Sequence, residues 1–422
     1  MIRARQSPAG HNRSGPLLLL LSGLLSLCQV PSSSGATETL NSTAAELKAP
    51  PPFGLQVHVF TMGQADSMLI IGPKPEQRSL LIDLGETRGG DRKSHLRIAQ
   101  RIEELTGRRG VDYFLVSHFH ADHLGSPGKG KGKPSGMLAL MMDSSDGFSI
   151  GTWIDRGDDD RFAARTRSHE AVIQGINGWI QAGRVGKRLP AEPGSSGIFL
   201  GAGVEVEILA AGGKRGDNAS ALERVESASP GIYERAPASE NDFSIALLIR
   251  RGDFELFTAG DLTGAAWPGP EQDYPNYTER RFGSKGSTYT NVESFLVEDW
   301  QQQGREMDVE IYRANHHGSA HSSSAPLLDA LDPEFIIYST GGQYGHPARE
   351  VVERGAQTAK QLITHAASLS SWPSGMPVEL AQVVGEVNIN VSMDGKEYTI
   401  LGRRQPCFDE QAEREDRDQH VQ

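Results

Sequence analysis

Between Phe114 and Gly125 the chain reads FLVSHFHADHLG, with three histidines and one aspartate inside six residues directly behind an apolar run. A fold that accepts this stretch must bury FLV as a strand and still partner four polar, ligand-capable side chains where the strand ends. His118 and His120 stand two apart, so in an extended chain both imidazoles project to the same side. Asp122 and His123 follow where the chain leaves the sheet. Imidazole nitrogens and a carboxylate oxygen suit zinc or a similar borderline divalent ion. Four such donors this close together cannot all reach one ion in good geometry. His118 with His120, and Asp122 with His123, more easily serve two neighbouring ions. Such a pair needs a bridging carboxylate and further histidines from elsewhere in the chain.

Those groups stand at the ends of other strand-like runs. FELFTAGDL ends with Asp261, VEIYRANHHGS with His316 and His317, and FIIYSTGGQYGHP with His346. Taken singly, a strand-end aspartate is a turn former or helix cap, and Asp83 in LIDLG is read that way. A single histidine is ordinarily structural. Gathered around an H-x-H-x-D-H stretch, they read as a metal site.

The remaining strand-like runs are LQVHVF, SMLIIG, SLLIDLG, YFLVSH, VEVEILA and FSIALLIRRG; helical patterns cover His95 to Gly107, His169 to Gly183 and Ala325 to Asp332. SIALLIRRGDFELFTAGD predicts a hairpin turning at Arg251-Gly252-Asp253. Early antiparallel strands, interspersed helices and a second strand-rich half predict an α/β sandwich rather than a doubly wound sheet. Gly212 to Asn241 and Thr263 to Asn291 lack apolar periodicity and are expected to be surface insertions bordering a site.

At the N-terminus, Arg3, Arg5 and Arg13 precede the apolar run Leu17 to Leu25, which is too short to span a bilayer but suits an export signal. Residues 1–36 are therefore expected to be a signal peptide, 37–52 a linker, 53–405 the folded domain and 406–422 a disordered charged tail. Cys28 invites lipidation, but Leu27 occupies a position where such sites favour a small residue, so simple export is preferred. Cys28 and Cys407 are the two cysteines of the chain, so an exported form would rest on its core or on metal rather than on disulfides. A formal net charge of -12 argues against a general polyanion binder and favours a small or single-stranded substrate over extended duplex.

H-x-H-x-D-H after an apolar strand resembles the hallmark of the metallo-β-lactamase superfamily, and the resemblance covers nearly all of Leu55 to about Gly402. VHVFTMGQADSMLI, LLIDLG, FLVSHFHADHLG, NDFSIALLI, LFTAGDL, ANHHGS and YGHP follow in an order similar to the hydrolase domain of ComEC-type competence proteins and related secreted phosphodiesterases. The resemblance implies an αββα sandwich with a two-metal site at one edge of the sheets. It implies His118 and His120 on one ion, Asp122 and His123 on the other, Asp261 between them, and His316 or His317 completing the second site. One departure stands out: where relatives of the β-lactamase type carry another metal-binding histidine, this chain has SENDFSIALL. Asn241 or Asp242 is the expected replacement, and an oxygen ligand there tilts the preference from zinc toward manganese.

A water shared by two divalent cations ionises near neutral pH and can attack a phosphodiester. Asp122 and His346 are the expected catalytic residues, His346 as proton donor to the leaving oxygen or as a phosphate ligand. Lys129, Lys131 and Lys133, spaced by glycines just past the metal loop, and Ser319 in HHGS are candidate substrate contacts, although Ser319 also suits a turn cap. Asp158, Asp159 and Asp160 are expected to form a solvated turn. The leading expectation is an exported two-metal phosphodiesterase, with nucleic acid and lipid or teichoic headgroup esters both open as substrates. A carboxylic ester or lactone hydrolase on the same scaffold, and a metal-stabilised binding protein without turnover, are the alternatives.

Overall fold

The computed structural model describes residues 53–407 apart from 87–92, 129–131, 164, 236, 265–280, 283–286, 289, 366–376 and 378–379. The expected signal peptide, the linker and all of the tail beyond Cys407 lie outside the described residues. The first half of the domain runs β1 (Leu55–Val59), β2 (Met68–Ile71), β3 (Ser79–Ile82), α1 (Ser94–Thr106) and β4 (Gly110–Leu115), then α2 (Ala121–Leu124), α3 (Gly136–Met142), β5 (Ser149–Asp155), α4 (Arg167–Gln181) and β6 (Val185–Pro190). The second half continues with β7 (Val204–Ala211), β8 (Lys214–Arg215), α5 (Ala221–Ala228), α6 (Ile232–Arg235), β9 (Ala246–Arg251) and β10 (Phe254–Thr258). After a short ribbon of β11 (Arg281–Phe282) and β12 (Ser287–Thr288) come α7 (Val292–Gln303), β13 (Ile311–Arg313), α8 (Ala325–Leu331), β14 (Phe335–Tyr338), α9 (Arg349–Gly355), β15 (Lys360–Ile363) and β16 (Gln382–Val383). The chain closes with β17 (Val387–Val391), β18 (Glu397–Ile400) and β19 (Arg403–Pro406). The domain thus reaches past the expected boundary at 405, because β19 pairs with β18 and Cys407 is buried.

The strands form two mixed sheets, ordered β19-β18-β17-β1-β2-β3-β4-β5-β6 and β16-β15-β14-β13-β10-β9-β7-β8. In each, an antiparallel part meets a parallel one, at β3–β4 in the first sheet and at β10–β13 in the second. The continuous apolar runs of the sequence follow from burial on both faces. In β2, Met68 and Ile70 point into the core between the sheets, where they join Val57, Ile249, Leu256 and Ile337. Leu69 and Ile71 point the other way and pack, with Phe114 and Trp153, against Ile98 and Ile102 of α1, Leu140 of α3 and Val172 of α4. The second sheet mirrors this, with Phe257 and Tyr312 covered by Trp300 of α7, Leu328 of α8 and Val352 of α9. Helix, sheet, sheet and helix therefore stack in four layers, the αββα arrangement expected from the sequence.

The predicted hairpin is present, turning at Gly252 (φ 59°) between β9 and β10. The segment Gly212 to Asn241, expected to be irregular, instead carries β8, α5 and α6 and ends at the site described below. Of Thr263 to Asn291, most lies outside the described residues. Among the described residues, no helix is long and apolar enough to cross a membrane.

One buried carboxylate ties the outer helices to the loop after β13. Glu293 of α7 is fully buried and accepts hydrogen bonds from Asn315 Nδ2, Ser323 N and Ser324 N, each at 2.8 Å. Burial pushes its pKa up. Glu293→Ala leaves three buried donors without an acceptor and is expected to lower the unfolding free energy by about 3 kcal/mol, read from urea titration. A loss within experimental error of zero would show that water replaces the carboxylate.

Candidate metal centre

The candidate ligands sit beyond the carboxyl ends of β3, β4, β10, β13 and β14, the edge where parallel strands of α/β sheets gather their ligands. Past β4, His120 is the extended N-cap of the single-turn helix α2, which brings Asp122 and His123 back over the strand end. Close approach makes this possible: a Cβ at Gly85 would stand 1.7 Å from the Asp122 carbonyl oxygen, so only glycine fits there.

Asp261, buried just past β10, stands at the middle. Its Oδ1 lies 2.9 Å from His123 Nε2 and 3.8 Å from His317 Nε2, while its Oδ2 lies 3.7 Å from both His118 Nε2 and His316 Nε2. His118 Nε2 in turn lies 3.0 Å from His120 Nδ1. Asp122 Oδ2 is 3.5 Å from His317 Nε2, on the Oδ1 side. His118, His120 and Asp261 place one donor atom each within 4.8 Å of one another, and so do Asp66, His123, Asp261 and His317.

The outward nitrogens of the histidines are fixed from behind. His123 Nδ1 donates to Asp83 Oδ2 at 2.8 Å, and His317 Nδ1 donates to the Ser339 carbonyl at 2.6 Å, which turns each Nε2 toward Asp261. Asp83 is therefore not the turn former or cap suggested by its sequence. It adopts φ 58° and also accepts from Ser117 N and Ser117 Oγ. His316 and His317 adopt left-handed backbone angles, φ 49° and 55°, a conformation that costs on the order of 1 kcal/mol each for residues other than glycine. The Glu293–Asn315 bond and His316 N donating to the Gly260 carbonyl hold that turn in place.

These groups fit a divalent cation. Among the described residues, His317 Nε2 and Asn241 Oδ1 are buried polar atoms without a hydrogen-bond partner, and His123 Nε2 and Asp261 Oδ1 are buried against each other at 2.9 Å. Burial opposes ionisation of Asp261, but His123, His316, His317 and His118 outweigh it and hold its pKa well below the usual carboxylate range. For Asp122 too burial is overcome, by the neighbouring His317 and the charge of His123. His123 moves the opposite way from a simple buried histidine: Asp261 and Asp83 raise it well above its ordinary value. A cluster that draws a proton onto a buried imidazole is short of positive charge, which a metal ion supplies. Burial and the neighbouring His123 keep His118 neutral, and burial lowers His316 to about 4.

The centre opens into a cleft of about 830 Å³, lined on one wall by Arg165, Thr166 and Arg167 and on the other by Tyr344 and His346. Gln64 Oε1 accepts from Gly341 N and Gln343 N, which positions the His346 loop. The His346 ring stands 5.5 Å from that of His316, and burial, followed by His316 and His317, lowers its pKa to about 3. Ser319 lines the cleft but also accepts from His321 N, so it caps its own turn.

The candidate substrate contacts fare differently. Lys129 and Lys131 lie outside the described residues, and Lys133 is exposed and absent from the cleft lining; among the described residues, Arg165 and Arg167 bring guanidinium groups to that lining. Asp158 and Asp159 are exposed, as expected of a solvated turn, and pair with Arg188 and Arg161, whereas Asp160 is half-buried between Arg156 and Arg165. His169 is buried and stacks on Phe119 at 4.0 Å, which supports the His118–His120 loop without joining it as a ligand. Asp66, which the sequence reading missed, lies 3.5 Å from His123 Nδ1 and forms an ion pair with the buried Arg313.

The two candidate replacement ligands part company. Asn241 lines the cleft, with Nδ2 3.3 Å from His316 Nε2. Asp242, next in the same 3₁₀ turn, points away toward Thr263 and Thr290 and is not a ligand. Thr263 Oγ1 and Thr290 N donate to the Asp242 carboxyl, and Thr263 Oγ1 also contacts the Thr290 carbonyl. Burial raises the Asp242 pKa to about 8, so near neutral pH the acid is largely protonated. That folded value lies above the ~3.9 of an unfolded aspartate. Its contribution to stability is therefore complete below about pH 4 and fades as pH rises through about 8. Asp242→Asn is expected to remove this slope, so that urea midpoints between about pH 5 and pH 9 fall less steeply in the variant; equal slopes would refute the neutral acid.

No family model matches this chain, and no curated protein matches it. Solved structures similar to it include the metallo-β-lactamase fold protein YhfI from Bacillus subtilis, at 10% identity and TM-score 0.36 over 74% of this chain and 97% of that one. Zn(2+)-bound PqqB from Methylobacterium extorquens is similar at 9% identity and TM-score 0.37, over 72% and 97%. CmlA, a diiron β-hydroxylase from Streptomyces venezuelae, is similar at 12% identity and TM-score 0.36, over 81% and 55%. Likenesses this weak concern the fold and assign no reaction.

Proposed function

We propose that this chain is an exported hydrolase of the metallo-β-lactamase type that uses two divalent ions to cleave phosphodiesters. The observation that carries the reading is the Asp261 carboxylate, whose two oxygens face separate sets of histidines. One ion would be held by His118, His120 and Asp261 with Asn241, the other by Asp122, His123, His317 and Asp261. Zinc suits the histidines, and the Asn241 oxygen widens the choice to manganese. When bound, the ions activate water and neutralise charge on the phosphoryl oxygens.

The chain's own residues do the rest. Asp122, kept ionised by His317 and His123, holds and orients rather than releasing a proton. His346, neutral at working pH, has an N–H to donate to a phosphate oxygen, so we assign it to binding rather than to protonation of the leaving group. Arg165 and Arg167 give the wall an affinity for anionic substrate. The phosphodiester itself is suggested by the motif order shared with ComEC-type hydrolase domains and by this basic wall. Export rests on Arg3, Arg5 and Arg13 ahead of the apolar run Leu17 to Leu25.

The test is hydrolysis of bis-p-nitrophenyl phosphate by the metal-stripped mature chain after addition of zinc or manganese. Metal is expected to restore turnover, Asp122→Ala to lower kcat at least about 100-fold, and His346→Ala to lower kcat/KM roughly 100-fold. Folded, metal-loaded protein that cleaves no phosphodiester but does cleave a carboxylic ester or lactone would move the assignment to that class.

A further inference from the structure

The sequence leaves a gap in the first donor group: SENDFSIALL offers an asparagine where related sites hold a histidine, and one or other histidine of HHGS was expected to complete the second group. The distances divide them otherwise. His317 Nε2 approaches Asp261 Oδ1, the oxygen that faces His123, and lies 3.5 Å from Asp122. His316 Nε2 approaches Asp261 Oδ2, the oxygen that faces His118, at the same 3.7 Å as His118 itself. It also stands 3.3 Å from the Asn241 amide, at the position of the gap.

The backbone explains how neighbours in sequence can part. Ordinary extended chain would send adjacent side chains to opposite faces of a sheet, and a helix would turn them by about 100° around its axis. Here both residues are left-handed, and their rings diverge to 6.4 Å between centroids at 59°. His317 is committed to its side by the Ser339 carbonyl behind it. His316 has Asn241 beside it and keeps only 14% of its side chain exposed, so it is enclosed within the centre rather than offered to the mouth of the cleft.

We propose that His316 serves the same ion as His118 and His120, filling with a residue from the second sheet the place of the missing histidine, while His317 serves the other ion. This rests on the two-ion reading above and adds which ion each histidine holds. The first ion then has three imidazoles, Asp261 and the Asn241 amide near it. The second has two imidazoles with Asp122 and Asp261, a donor set richer in oxygen.

Zinc binding by equilibrium dialysis with metal quantification tests this without reference to turnover. The unmutated chain is expected to hold two zinc ions. His316→Ala should keep one with unchanged affinity and weaken the other on the order of 100-fold or more, since even partners one shell further out cost 10–100-fold. Adding His118→Ala to His316→Ala should still leave one ion bound with unchanged affinity, because both residues act on the other ion, whereas His316→Ala with His317→Ala should weaken both. Two ions bound by His316→Ala as tightly as by the unmutated chain would overturn the proposal. So would a His316/His317 double variant that still holds one ion normally. A single zinc in the unmutated chain would remove the two-ion reading and this proposal with it.

A second measurement is independent of how the variants fold. In a zinc titration of the unmutated chain labelled with ¹⁵N-histidine, the His316 ring signals should shift at the same equivalent as those of His118 and His120. Shifts in step with His123 and His317 would overturn the assignment.

Discussion

The carboxylate of Asp261 is the joint on which the rest of the site turns. It comes from the second sheet, yet its oxygens face His118 and His123, which the first sheet supplies, as well as His316 and His317 from its own. Nothing local to any one loop would bring these groups together. They meet because the parallel portions of both sheets end at the same edge of the sandwich, and because the core between the sheets, with Val57, Ile70, Ile249 and Leu256, fixes how those edges sit. Packing far from the chemistry therefore sets the distances within it.

Electrostatics pull against that packing. Asp66, Asp83 and Asp261 are buried close together around His123, and Arg313 is the guanidinium sealed in beside them, its own pKa brought down to about 9 by burial. Buried charge without compensation is costly. The raised pKa of His123 records part of the response, and Arg313 on Asp66 another part. A cation between the histidine sets would supply the remainder, which would link metal affinity to fold stability.

Much of this was legible in the sequence because the signals are local. Buried strands read as apolar runs, and a donor two residues from another at a strand end announces itself whatever follows. Among the strands that escaped notice, β6 and β19 are rich in Lys and Arg at exposed edges, β5 is interrupted by Gly151, and β15, β17 and β18 are short and mix polar with apolar residues. Asp66 in GQADS carries no strand-end signal; its place is set by Arg313, far along the chain. Arg165 and Arg167 reach the cleft because α4 begins there, which no spacing within their own segment reveals. Asn241 and Asp242 show the limit most plainly. They are adjacent and chemically similar, and only the direction of one 3₁₀ turn sends the amide to the cleft and the acid to Thr263 and Thr290.

The seam between the sheets also governs when the ions can arrive. Donors on either side of Asp261 are widely separated along the chain, so an unfolded or half-made polypeptide presents isolated pairs of histidines rather than the assembled set. Metallation is thus a late event, downstream of the docking of the two sheets. The ions would then be drawn from whatever pool surrounds the chain where its two sheets dock. Which element the site takes up would be decided by where the chain folds as much as by its ligands.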